Sequence, residues 1–139
     1  MPGAIVAFSP WYDMEATEPT FDSNAVVDVA ISRQLVHTFA PMFLGGQSPS
    51  RPLANPMYAD PAGLPPLLLT CGADETLRDS VERFVALASW AGVEVALPIA
   101  DGIPHVYQPC RDGPSTRNTE PEEWFRLVRV DSGRLRRSW

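Results

Sequence analysis

The sequence predicts an α/β protein with about three parallel strands and flanking helices. Two continuous apolar runs, residues 3–8 and 67–71, read as strands buried on both faces rather than on one. Between the second run and a third at residues 93–97 lies a segment with helical apolar spacing. Strand, helix and strand joined by short connections form a βαβ unit, whose two strands run parallel with a right-handed crossover.

The elements follow in chain order. Gly3-Ala4-Ile5-Val6-Ala7-Phe8 forms the first strand, and Pro10, which has no N–H to donate, stops it. Residues 14–25 read as a polar loop. A helix is expected from about Asp28 to Phe39, with Val29, Leu35, Val36 and Phe39 as its apolar stripe. From Gly45-Gly46 to Pro61 the prolines at 49, 52, 56 and 61 predict a long loop. Pro65-Pro66 launches the second strand, Leu67-Leu68-Leu69-Thr70-Cys71. A helix is expected from Arg78 or Asp79 to Ala91, with Val81, Phe84, Val85 and Ala88 facing the sheet and Gly92 as its stop. Val93 to Leu97 alternates as an edge strand does. In the tail, one helix is expected over about Glu120 to Val130, with Trp124, Phe125, Leu127 and Val128 as its apolar side.

Composition narrows the function classes. The chain has 139 residues, enough for one domain with a core, and 45% of them are hydrophobic. A net charge of −6 argues against nucleic acid or an anionic membrane as partner. No apolar run reaches the roughly 18 residues of a membrane span, and the N-terminus lacks a signal-peptide pattern. The two cysteines, Cys71 and Cys110, make neither a metal spacing nor a disulfide framework, so a reduced cytoplasmic location is expected, with no metal or cofactor. Charge divides the chain: residues 1–110 carry 4 Arg against 12 acids, residues 111–139 carry 7 Arg against 5 acids. The expected organisation is therefore a domain over 1–110 and a divergent tail over 111–139, separated near Arg111-Asp112-Gly113-Pro114.

In parallel sheets, reactive groups collect on loops beyond the carboxyl ends of the strands. Two such loops carry suitable side chains here. The second strand is followed by Gly72-Ala73-Asp74-Glu75-Thr76-Leu77-Arg78-Asp79, the third by Asp101-Gly102-Ile103-Pro104-His105. Parallel strands put both loops at one edge, so a carboxylate at 74 or 75 can meet the imidazole at 105. An acid beside a histidine fixes its tautomer and stabilises the imidazolium formed when it takes a proton. From the residues alone, Asp74, Glu75 and Asp79 are equally well explained as caps of the following helix. His37, inside a helix, reads as structural or solvent-facing. Cys71 reads as a small buried hydrophobe, and Trp11 and Trp90 as packing residues.

Five segments then resemble the C-terminal part of bacterial hormone-sensitive-lipase-like esterases, in that family's order and at its spacings. They are Ser9-Pro10-Trp11-Tyr12-Asp13, residues 52–60 (Pro-Leu-Ala-Asn-Pro-Met-Tyr-Ala-Asp), residues 63–69 (Gly-Leu-Pro-Pro-Leu-Leu-Leu), Glu75-Thr76-Leu77-Arg78-Asp79 and Gly102-Ile103-Pro104-His105-Val106. The resemblance covers roughly residues 2–108. It implies an α/β-hydrolase fold, with the three strands equivalent to strands six to eight, and hydrolysis of a small carboxylic ester. It also implies Glu75 as the triad acid and His105 as the base, with Asp74, one residue off the pattern, as runner-up acid.

Two departures accompany it. The HGGG-type oxyanion loop and the G-x-S-x-G nucleophile elbow that the family carries are absent from this sequence. Since α/β-hydrolases order their triads Ser, acid, His, the nucleophile is expected upstream of Met1, and this chain alone is expected to be inert. The alternative is a non-catalytic remnant, or a subunit that docks on a separately encoded N-terminal half; a homo-oligomer is the other partner considered. Beyond about Gln108 the likeness ends.

Overall fold

The computed structural model of the chain describes residues 2–103, 105, 130–131 and 134–135. Strand β1 (Ile5–Phe8) runs parallel to β2 (Leu67–Gly72), with Ile5 opposite Leu67 and Phe8 opposite Thr70. The third strand is present in two pieces, β3 (Val95–Ala96) and β4 (Ile99–Ala100), both parallel to β2. Pro98 lies in the gap between them, where a residue without an N–H cannot donate to the ladder. The second strand is central, and all six of its residues are buried, hence its unbroken apolar sequence. The reading of β1 as buried on both faces is corrected: Val6 and Phe8 are about half exposed, at 47% and 50%.

Helix α3 (Arg78–Trp90) matches its expected bounds. It lays Val81, Phe84 and Ala88 into one cluster with Leu67, Leu69 and Cys71, while Val85 packs from the margin. Phe84 also stacks on Tyr12, ring centroids 4.2 Å apart, which ties the segment after β1 to the helix. Leu69 is fully buried, a burial that contributes roughly 2 kcal/mol. The stop works as the sequence predicts. Gly92 takes φ +80, its N–H donates to Ser89 O and the Val93 N–H to Ala88 O, the paired bonds of a Schellman ending. Trp90, expected as a packing residue, is corrected: it is 94% exposed.

The earlier helices differ more. A single helical turn, α1 (Thr20–Ser23), interrupts the expected 14–25 loop. The second helix, α2 (Arg33–Leu44), begins five residues later than predicted and runs through Pro41. Its true cap is Ser32, whose side chain accepts the Leu35 N–H, and Gly45 closes it at φ +56. Val36, Ala40 and Leu44, spaced by four, form its buried side; Val29 is 91% exposed, and Leu35 and Phe39 are partly exposed, at 37% and 47%. Packing of Ala40 and Leu44 beside Met14 offsets the hydrogen bond that Pro41 removes. A 3-10 turn at Pro56–Tyr58 punctuates the long loop.

Most of the expected tail helix, residues 120–129, lies outside the described residues, as do Trp124, Phe125, Leu127 and Val128. Its end is corrected, since β5 (Val130–Asp131) pairs antiparallel with β6 (Arg134–Leu135).

Two outcomes follow from this packing. A Cβ at Gly92 would meet nothing within 4 Å, so Gly92→Ala isolates the backbone term and should destabilise the chain by about 1–2 kcal/mol, seen as a lower urea midpoint at unchanged slope. Burial, with Glu75 and Glu82 adding to it, pushes the Cys71 thiol up to about 12. In a Cys110→Ser chain, Cys71 should therefore stay unmodified by a thiol reagent at neutral pH until denaturant is added.

Candidate active site

The carboxyl end of β2 runs directly into the loop that carries the acids. Ala73 N–H donates to Ala100 O at 2.8 Å and Asp74 N–H to Ile103 O at 3.4 Å. These backbone bonds lace the loop after β2 to the loop after β4. Gly102 turns the second loop at φ +65, and Ile103, buried, anchors it. His105 follows two residues later, its side chain 19% exposed.

Glu75 is fully buried, and three donors account for it. Oε1 accepts the Ser9 hydroxyl at 2.6 Å and the Gly72 N–H at 2.5 Å. Oε2 faces His105 Nδ1 at 3.2 Å. Burying a carboxylate without partners is expensive, and charge-assisted bonds of this kind are what make it tolerable. Of the two acids considered from sequence, it is Glu75 and not Asp74 that contacts the imidazole. Asp74 is only half-buried and meets the second loop through its backbone.

The capping alternative separates along the same line. Asp79 does belong to the start of α3, where its carboxylate accepts the Thr20 N–H at 3.1 Å and Thr20 Oγ1 accepts the Asp79 N–H at 3.3 Å. Glu75 caps nothing with its side chain. Its backbone is clamped instead: Asn24 Nδ2 donates to Glu75 O at 2.8 Å. Thr76 next to it donates its N–H and hydroxyl to Asp28 Oδ2 at 2.8 and 3.0 Å, and Thr20 Oγ1 donates to Thr76 O at 2.8 Å. Asp28 and Thr76 are both buried.

Sequence reasoning missed Ser9, Asn24, Asp28 and Thr76 as members of this site. Ser9 and Thr76 carried a signal, as members of the 9–13 and 75–79 segments; Asn24 and Asp28 meet the acid loop only through long-range folding, which no local pattern reports. His37 stands elsewhere, exposed, its Nε2 3.2 Å from Glu15 O. It lines a groove of about 460 Å³ with Met14, Glu15, Leu44 and Gln47, which neither Glu75 nor His105 borders. Among the described residues no three His, Cys, Asp or Glu side chains gather as a metal site, and no helix is long and apolar enough to cross a membrane.

Comparison with known proteins agrees with this architecture. A family model described as the α/β hydrolase fold matches residues 1–109. An acetyl-hydrolase of Streptomyces hygroscopicus is 32% identical over 95 residues, covering 68% of this chain and 32% of that protein. An esterase of Acinetobacter venetianus is 28% identical over 109 residues, 78% of this chain and 36% of that one. Among solved structures, an esterase from the bacterial hormone-sensitive lipase family is 45% identical with a TM-score of 0.76, covering 78% of this chain and 36% of its own. The chain thus spans about a third of the length of the relatives it matches. By its family match, its strand order and its likeness to these esterases, the chain belongs to the α/β-hydrolase fold family, in the hormone-sensitive-lipase-like branch.

Proposed function

We propose that the chain supplies the acid and the base of a serine esterase triad, Glu75 orienting His105, for hydrolysis of a small carboxylic ester. The observation that carries this reading is the buried Glu75 carboxylate 3.2 Å from His105 Nδ1, beyond the carboxyl ends of parallel strands. In the reaction a serine hydroxyl attacks the ester carbonyl while His105 Nε2 takes its proton. His105 then returns that proton to the departing alcohol, and water repeats the sequence to release the acid. Glu75 holds the Nδ1–H tautomer throughout and stabilises the imidazolium without taking the proton itself. The serine and the oxyanion donors come from sequence outside this chain, in a complementary N-terminal half. No metal or cofactor enters the scheme. The proposal further takes 1–110 as the hydrolase unit and 111–139 as a separate tail, supported by the family match ending at residue 109. It includes a cytoplasmic location, where Cys71 stays a buried thiol.

A second reading, a non-catalytic subunit or remnant, draws on the open side of β1. Among the described residues that strand pairs with β2 alone, and Val6 and Phe8 stand half exposed, a surface suited to docking another chain.

Reconstitution separates the two. Alone, the purified chain should show no saturable hydrolysis of a short-chain p-nitrophenyl ester, because a single oxyanion donor is worth about 100- to 1,000-fold and the nucleophile is indispensable. Mixed with the N-terminal half of a related esterase, it should restore turnover. That turnover should vanish with His105→Ala and fall by roughly 10⁴-fold with Glu75→Gln, which favours the wrong tautomer. A complex that forms without turnover selects the second reading; turnover by the isolated chain that His105→Ala abolishes would place a nucleophile within it.

A further inference from the structure

Ser9 ends β1 with φ +46, a left-handed conformation that glycine adopts freely and residues bearing a Cβ rarely do. Its N–H still donates to Thr70 O at 2.7 Å, so the backbone turns while the chain remains in register with β2. The residue is buried, and its hydroxyl reaches Glu75 Oε1 at 2.6 Å. A hydroxyl-bearing residue held in a glycine conformation at a polar cluster is an outlier that points toward a role.

We propose that Ser9 is a positioning residue for the Glu75–His105 pair, an inference that rests on reading the pair as acid and base. The terminal torsion of a glutamate is broad and roughly two-fold, so burial alone does not choose which oxygen faces a neighbour. Oε1 is engaged twice, by the Ser9 hydroxyl and by the Gly72 N–H at 2.5 Å. With one oxygen fixed from two strands, Oε2 is the oxygen presented to His105 Nδ1 at 3.2 Å. An imidazole that donates its Nδ1–H to a fixed acceptor keeps its lone pair on Nε2, the atom that must receive the nucleophile's proton. The Gly72 N–H alone would leave the carboxylate free to rock about one bond. The Ser9 hydroxyl removes that freedom, and the left-handed turn is what brings it there.

The test uses the full chain with ¹⁵N-labelled histidine at about pH 8.5, where a free imidazole is neutral. His37→Gln assigns the signals, since the chain has 2 histidines. The native chain should show His105 as one tautomer, protonated at Nδ1, with a downfield Nδ1–H resonance. Ser9→Ala and Ser9→Gly should both lose that resonance and mix the tautomers. The glycine variant decides the matter, because it removes the hydroxyl while relieving the backbone, so that relief of the left-handed residue opposes the lost hydrogen bond and the chain stays folded. A Ser9→Gly chain that stays folded and retains the resonance would overturn the proposal, leaving Ser9 a turn residue. A native chain without the resonance, unchanged by Glu75→Gln, would instead overturn the acid–base reading itself and the proposal with it.

Discussion

A fully buried carboxylate is the constraint around which the rest of this structure is arranged. Glu75 sits where water does not reach, and a charge in such a place persists only if donors replace the lost solvent. Those donors come from three separate stretches of chain: Ser9 at the end of β1, Gly72 at the end of β2, and His105 beyond β4. Only Gly72 lies near the acid in sequence, three residues from it. The parallel register of β1, β2 and β4 is what brings them to one point. Slipping β1 by a single residue would move Ser9 to the opposite face and leave Oε1 with one donor.

A second ring of polar contacts holds the loop that carries the acid. Asp28 accepts from the N–H of Ala30 and Ile31 with one oxygen and from Thr76 twice with the other. Thr20 and Asp79 exchange bonds across the starts of α1 and α3. Leu77, at the cap position of α3, offers no side-chain acceptor; the Asp79 N–H is met instead by Thr20 Oγ1, 59 positions from Asp79 in the chain. The segment between β1 and α2 is thereby a structural clamp on the acid loop. Arg83 and Glu18 add an ion pair on the same side at 2.8 Å, worth little by itself at this exposure.

How far the sequence discloses all this depends on where each residue's partners lie. The second strand and α3 were legible because their determinants are local: a run buried on both faces, apolar residues recurring every three or four positions, and a glycine at the turn. The meeting of Glu75 and His105 was legible because two parallel strands put their loops at one edge; choosing Glu75 over Asp74 needed the family resemblance. The start of α2 was not legible, for a physical reason. Asp28 behaves as a cap does, accepting the N–H groups two and three residues on, yet its other oxygen serves Thr76 and the helix waits for Ser32. Only the tertiary contact distinguishes the two. Trp90 misled in the opposite way, a large apolar ring that the last turn of α3 leaves in solvent.

The split in the third strand has a consequence for how this sheet can grow. On that side the ladder consists of two dipeptides with Pro98 between them, so an incoming strand would find few donors in sequence and a gap at the middle. The opposite border, β1, offers four consecutive residues in regular extended form. Recruitment of another strand is therefore polarised: the proline blunts one flank as a template, and any extension of the sheet in register proceeds from β1 outward. Whatever joins this sheet meets first the strand whose last turn supplies the Ser9 hydroxyl.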